Sequence, residues 1–550
     1  MKNVRIGATL FPWEQGEVFG RRVISAGTCR ALSEIIAAAN AENWQQLAKL
    51  LRAERNSFGL IFETASHVIA VCDRIRGYPL FLKDTFDVIE VSSTVGDWLT
   101  EDLAGSFDER QAKLFLAAGY TIGDKTLSQE VTKVLAGQFI FISKSCGKVL
   151  KQQYSFFQPR FDGGEKVDAY WDDRLDHILS SVAERTIEQA NGNTIWVPLS
   201  GGFDSRAVLA MILEKGYDNV QTFSYGNQGN TEAEVAKGIA EKANVAWRFI
   251  HSLPNNPRDE FRSKSVTEYF LSHGGLGYAP AVAEYFPLKN LLETGEFSEG
   301  DYLVNGQSGD FLTGGHIPDV ADCNQLIKYI WTKHFGLLPY DSDPATEDDV
   351  ELVLGAWIKT YLGVSIDSLN CQQNILKAYL AFECQERQCQ YVVQQQRAYD
   401  HFQMNWALPL WDGELMDLFE EVPVSQQTGQ QLYLRLLRKK NFRGMFEEGR
   451  RPIDPWPVCG SVIRFAARSF GLMGGDRQRA YKRMYYWSDR NYIYQLFGQK
   501  VYRNLYQQMR GSISLVTLDY LNRIRSTIGV PPRTDLEKIY AHNVMPLDEK

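Results

Sequence analysis

Between Thr194 and Tyr225 the chain reads TIWVPLSGGFDSRAVLAMILEKGYDNVQTFSY, an apolar run, a Gly-Gly turn, a helix-compatible stretch and a second apolar run. A helix that joins two short apolar strands restricts them to parallel neighbours with a right-handed crossover. The pattern repeats at once, with TEAEVAKGIAEKAN as a helix and AWRFIH as a third strand. This βαβαβ rhythm predicts an α/β, Rossmann-like domain with a parallel sheet. The turn itself, Ser200-Gly201-Gly202-Phe203-Asp204-Ser205, places backbone N–H groups and the positive end of a helix around a concavity, which suits an anion. The hydroxyls of Ser200 and Ser205 add donors. Asp204 would repel a phosphate unless a divalent cation bridged the two, so an acid in this turn implies Mg²⁺. A serine cap on a plain turn would account for Ser200 or Ser205, but not for the whole set. The GxxxxGKS/T pattern and its lysine are absent, which disfavours a kinase or P-loop ATPase.

The first 160 residues have a different grain. SFGLIFETASHVIAVCDRIRGYPLFLK, VIEVSS and GQFIFIS read as strands. TCRALSEIIAAANAENWQQLAKLLR, with Cys29 inside it, and DERQAKLFLAAG read as helices. This predicts an α+β domain over residues 1–165, a linker in FFQPRFDGGEKVD, and a second domain over 166–550 that becomes mainly helical beyond about residue 320. A 550-residue chain requires more than one domain. Its net charge of -8 gives no general attraction to nucleic acid or anionic membrane, and no stretch approaches a membrane span. The eight cysteines are scattered without a CxxC pair, and Cys384 and Cys389, five residues apart on a helix, would not share a face. A reduced, cytoplasmic protein is expected.

SGGFDS resembles the pyrophosphate-binding loop of the ATP pyrophosphatases, and the following VQTFSYGNQGNTEAEVAKGIAEKANVAWRFIH is similar to their asparagine synthetase branch. YLVNGQSGDFLTGGHIP resembles that branch's G-E-x-x-D-E-x-x-G-G region. The resemblance implies ATP and Mg²⁺ as cofactors, with Asp204 and Asp310 as metal-binding carboxylates. It assigns nucleotide or intermediate contacts to Ser200, Gly201, Gly202, Asp204, Ser205, Tyr225, Gly226, Gly306, Ser308 and Gly309. It also implies an enzyme that adenylates a small-molecule carboxylate and passes it to ammonia or an amine. The fold it implies is an Ntn-hydrolase-like αββα sandwich followed by an adenine nucleotide α-hydrolase-like domain. NWALPLWDGELMDLFEEVP is similar to the family's helix-entry segment, with Asp412 as a cap.

The N-terminal region resembles the family's class II glutamine amidotransferase domain, but Met1 is followed by Lys2 and Asn3 where that family has its nucleophilic cysteine. A domain that keeps the fold without glutaminase activity is expected, which leaves free ammonia or another amine as nucleophile. Gln307 replaces the family's glutamate; a carboxylate there could take a proton and an amide cannot, although a neutral hydrogen-bonding replacement reads as well. Lys439, Lys440, Arg450 and Arg451 are candidates for the phosphate-stabilising cation. SHGGLGYAP, with His273 and Tyr278, stands where the family builds its acyl pocket, and Glu386, Arg387 and Arg397 form an ion-pair network, or one of the arginines reaches a substrate carboxylate. The combination of motifs resembles a subgroup associated with surface-polysaccharide synthesis, which implies a uronic-acid sugar as the acid. An intramolecular amide cyclase and a nucleotide-binding protein without turnover are the alternatives, and a homodimer is compatible with all three.

Overall fold

The computed structural model describes residues 2–164, 166–227, 230–337, 347–447, 496–497, 512–534, 537–538 and 540. Its N-terminal strands are β1 (Asn3–Ile6), β2 (Glu14–Val18), β3 (Arg21–Gly27), β4 (Phe58–Glu63), β5 (His67–Cys72), β6 (Phe81–Asp84), β7 (Val88–Ser92), β8 (Val131–Lys133), β9 (Gln138–Ser143) and β10 (Val149–Gln153). Six form an antiparallel sheet in the order β10-β9-β5-β4-β3-β2, and four form a second sheet in the order β1-β7-β6-β8. The two-residue period of a strand sorts the apolar side chains onto the two faces. Along β5, Ile69 and Val71 join a cluster with Ile35, Ile36, Leu47 and Leu51. The intervening Val68, Ala70 and Cys72 join the main core with Leu82, Ile89 and Val91 of the second sheet. One sheet is thus covered by helices outside and by the other sheet inside, the layering expected of the αββα class.

The outer helices correct one expectation. The stretch from Thr28 to Arg52 is two helices, α1 (Leu32–Asn40) and α2 (Trp44–Ala53). The side chain of Asn43 accepts a hydrogen bond from the Gln46 N–H at 3.1 Å, and Glu42 takes φ 52°. A local cap of this kind competes with helix continuation. Cys29 therefore lies ahead of α1 and not inside a helix. The helix α3 (Glu109–Ala118) forms as read, capped by Asp108 and closed by Gly119 at φ 86°.

Residues 154–164 and 166–167 carry no regular element. Beyond them come the long helix α4 (Asp168–Ala190), then β11 (Ile195–Pro198), α5 (Phe203–Glu214), β12 (Val220–Gly226), α6 (Thr231–Ala243) and β13 (Ala246–His251), all where the sequence pattern puts them. Two three-residue strands complete the sheet, β14 (Tyr302–Val304) and β15 (Asn405–Ala407), in the order β13-β12-β11-β14-β15 with every pair parallel. The chain runs outward from β11 to β13 and then returns to the other side of β11. The sheet order therefore reverses between β11 and β14, which is where open parallel sheets form a crevice at the carboxyl ends of their strands.

Asp301 fixes that junction. Buried at the start of β14, it accepts hydrogen bonds from the N–H of Thr194 at 3.2 Å, the N–H of Ser298 at 2.9 Å and the indole N–H of Trp196 at 3.1 Å. Asp412 accepts from the Glu414 N–H at 2.8 Å and caps the helix Gly413–Glu421 as expected, while Trp406, Leu408, Leu410 and Trp411 are buried. Asp301→Ala would strand the buried Trp196 indole and remove the partner of two half-buried N–H groups, so we expect it to lower unfolding stability by about 1–3 kcal/mol. An unchanged urea midpoint would contradict this role.

Candidate functional site

The loops leaving β11 and β14 meet at the switch point. In the first, the hydroxyls of Ser200 and Ser205 lie 2.9 Å apart, the Ser200 N–H donates to Ser205 Oγ at 3.0 Å, and the Gly202 N–H donates to Ser200 Oγ at 3.1 Å. No side chain caps the N-terminus of α5, so its dipole faces the crevice. The buried Arg206 braces the turn from behind, donating to the Gly201 carbonyl at 2.7 Å and the Met445 carbonyl at 3.0 Å.

The second loop packs directly on the first. The Asp310 N–H donates to Asp204 Oδ2 at 3.1 Å. A Cβ on Gly306 would stand 2.7 Å from the Asp204 carbonyl carbon and the Ser205 nitrogen, and one on Gly309 would stand 2.7 Å from Asp204 Cγ. Only glycine permits this approach at both positions. Ser308 takes φ 63° and donates to Gln388 Oε1 at 2.8 Å, and Gln307 Oε1 accepts from Gln396 Nε2 at 2.5 Å.

Together the loops line a cleft of about 510 Å³, a volume ordinary for a small-molecule site. Ser200, Gly202, Asp204, Ser205, Tyr225, Gly306, Gln307, Ser308 and Asp310 all line it, so most of the residues singled out from sequence converge here. Gly201, Gly226 and Gly309 are not part of its lining, although Gly309 packs on Asp204. Two adjacent carboxylates beside an anion-receptive turn form a hard-oxygen donor set. Among the described residues no group of three or more His, Cys, Asp or Glu side chains surrounds one point. Mg²⁺ ordinarily takes one or two carboxylates and completes its shell with phosphate and water oxygens, so the pair fits it.

Behind Asp310 lies a chain of charges that sequence reading missed. His316 reaches Asp310 Oδ2 through Nε2 at 3.2 Å and Glu383 Oε1 through Nδ1 at 2.5 Å. Burial alone would lower the His316 ring, but hydrogen bonds to the two carboxylates outweigh it and carry it up to about 9. Burial opposes ionisation of Asp310 as well, yet the His316 hydrogen bond and charge hold its carboxyl below the usual range. Glu383 is fully buried and also meets Lys333 Nζ at 3.0 Å and the Tyr379 hydroxyl. His316 and Asp310 share one short loop, so only the distant Glu383 was beyond the reach of local pattern.

Other candidates lie elsewhere. Lys439 pairs with Asp172 at 3.3 Å, and Lys440 pairs with Asp176 and Glu214, each at 2.6 Å; neither lines the cleft. Arg450 and Arg451 fall outside the described residues. His273 and Tyr278 line a separate void of about 10 Å³, with the Tyr278 hydroxyl donating to the His273 carbonyl at 2.5 Å. Arg397 pairs with Asp400 at 2.5 Å, and Glu386 accepts from the Gly123 N–H at 2.9 Å and the Trp357 indole at 2.6 Å. Cys384 and Cys389 correct the expectation from α-helical spacing. Glu383–Val392 is a π-helix, in which residues five apart become neighbours, and burial together with the neighbouring Cys384 pushes the Cys389 thiol up.

Two measurements test this construction. Gly306→Ala and Gly309→Ala should each cost about 1–3 kcal/mol of stability, because the added methyl meets backbone or a fixed carboxylate; wild-type denaturation midpoints would contradict the close loop packing. His334 is fully buried beside Glu383, and burial pushes its ring down to about 3. A depressed folded value gives stability that is present above the unfolded value of 6.5 and lost as pH falls from 6.5 toward 3. Against His334→Gln, the wild type should lose about 1 kcal/mol per pH unit across that window, whereas parallel pH profiles would contradict a buried neutral ring.

With this geometry in hand, residues 176–445 match the family model described as asparagine synthase. No curated protein matches the chain in sequence. Among solved structures, a glutamine phosphoribosylpyrophosphate amidotransferase from B. subtilis, complexed with ADP and GMP, matches at 9% identity with a TM-score of 0.16. The match covers 55% of this chain and spans only 59% of that one. Among the described residues no helix is long and apolar enough to cross a membrane. The family match over residues 176–445 supports an asparagine synthetase-like family for that part of the chain.

Proposed function

We propose that the protein is an AMP-forming carboxylate–amine ligase. The observation that carries this reading is the contact between the two loops at the switch point, which sets Asp204 and Asp310 together beside the Ser200–Ser205 turn. ATP lies with its β- and γ-phosphates against that turn. A carboxylate oxygen of the acid attacks the α-phosphorus, the bond to pyrophosphate breaks, and an acyl-adenylate remains. The Ser200 and Ser205 hydroxyls and the N-terminus of α5 receive the charge that develops on the leaving pyrophosphate. Asp204 and Asp310 would hold Mg²⁺, which when bound would neutralise part of the phosphate charge. Ammonia or an amine then displaces AMP and forms the amide.

Residues 1–165 are proposed as an amidotransferase-like domain that supplies no ammonia of its own. In support, burial holds the Cys29 thiol well above its ordinary range, with the Glu54 carboxylate adding to the effect, and pushes the Cys72 thiol up to about 12. Thiols so held are poor nucleophiles; the third, Cys146, is exposed in the turn between β9 and β10, where the Ser143 hydrogen bond lowers it. The motif combination that resembles the polysaccharide-associated subgroup supports a uronic-acid sugar as the acid, and the cysteines without disulfides among the described residues support a reducing, cytoplasmic setting.

The test is pyrophosphate release and ATP–pyrophosphate exchange over a panel of amino acids, uronic acids and nucleotide uronates. With the acid that gives the highest wild-type rate, Asp204→Asn and Asp310→Asn should each lower exchange by about 10²–10³-fold. Unchanged exchange in either variant would overturn the mechanism.

A further inference from the structure

The cleft contains a carboxylate that neither loop supplies. Glu284, immediately before the helix Tyr285–Glu293, lines the same cleft as the two loops. Its Oε1 accepts a hydrogen bond from the Tyr225 hydroxyl at 3.1 Å, and the Tyr399 phenol is close enough to feel the Glu284 charge. Tyr399 in turn accepts from Asn305 Nδ2 at 3.0 Å, and Asn305 Oδ1 accepts from the Gln307 N–H at 2.7 Å. A run of polar neighbours thus leads from Glu284 past Tyr399 and Asn305 to the residue that stands where the resemblance places a carboxylate. Gln307 cannot take a proton, and its carbonyl is turned to Gln396.

The charge balance of the cleft points the same way. Four carboxylates line it, those of Asp204, Glu232, Glu284 and Asp310, and among the described residues no lysine or arginine does. Asp204 and Asp310 belong to the phosphate end by the contacts above, and Glu232 packs against Gly201 of the same turn. Glu284 is left facing the cleft from the wall built by Tyr225 and Asn305. A cleft of this sign draws in cations and repels anionic nucleophiles. Burial raises the Glu284 carboxyl, while the neighbouring phenols of Tyr399 and Tyr225 lower it.

We infer that Glu284 receives the attacking amine as its ammonium ion and acts as the base that frees its lone pair. This rests on the acyl-adenylate reading above and names the residue that completes it. One proton passes from the ammonium nitrogen to the Glu284 carboxylate. The released lone pair forms the C–N bond, the C–O bond to AMP breaks, and the second proton leaves with the AMP phosphate. The substrate class is thereby narrowed to ammonium or a protonated primary amine on the nucleophile side.

The experiment uses the full-length protein, the best acid of the panel above, and two nitrogen sources, ammonium chloride and hydroxylamine. Hydroxylamine is largely unprotonated near neutral pH and attacks acyl-adenylates without help from a base. Glu284→Gln should lower amide formation from ammonium by at least about 10²-fold, within the range for a lost general base. It should keep ATP–pyrophosphate exchange and hydroxamate formation within about threefold of wild type, and Glu284→Asp should recover part of the ammonium-dependent rate. Wild-type amide formation from ammonium in Glu284→Gln would overturn the assignment while leaving the adenylation reading intact. Equal loss of exchange, hydroxamate and amide would also overturn it, since the residue would then serve folding or adenylation. Absence of exchange in the wild type itself, with every acid, would overturn the underlying function.

Discussion

The structure turns on one close contact, the seating of the β14 loop on the β11 loop. Asp310 donates its backbone N–H to the Asp204 carboxylate, Gly306 lets the two backbones approach to a distance that any Cβ would prevent, and Gly309 does the same for the Asp204 carboxylate. A parallel sheet whose order reverses between β11 and β14 brings these two loops side by side from positions 106 residues apart. Without the contact, Asp204 would be a helix-start carboxylate and Asp310 an exposed loop residue. With it they form a two-carboxylate site at the mouth of an anion-receptive turn.

That site is held from behind by buried charge. His316 bridges Asp310 to Glu383, and Glu383 is held by Lys333 and Tyr379. An isolated buried glutamate would be costly; here each oxygen has a partner, and the partners fix its orientation. The polar interior of the π-helix Glu383–Val392 serves the same end. Gln388 from this helix reaches Ser308, and Gln396 just beyond it reaches Gln307, so the β14 loop is positioned from below as well as by the loop it packs on.

Much of this was legible in the sequence, for identifiable reasons. The β11–α5–β12–α6–β13 series could be read because apolar runs, Asn230 and Asn244 caps and a Gly-Gly turn are all local signals. The turn at Ser200–Ser205 could be assigned its chemistry because five of its six residues bear on anion binding. The short strands β14 and β15 were not legible, since three residues give no periodicity. The break between α1 and α2 depended on a single capping asparagine within an otherwise helical pattern. Glu284 and Glu383 escaped for a different reason: each is an ordinary glutamate beside a helical segment, and only tertiary packing brings one into the cleft and the other behind Asp310.

The proposed reaction breaks ATP between its α- and β-phosphates by attack of a substrate carboxylate. The most direct measurement uses the acid identified by pyrophosphate release, labelled with ¹⁸O in its carboxyl group, followed by mass analysis of the nucleotide and phosphate products. The account predicts AMP carrying one ¹⁸O atom together with unlabelled pyrophosphate. ADP with labelled inorganic phosphate would place the attack at the γ-phosphate and contradict it.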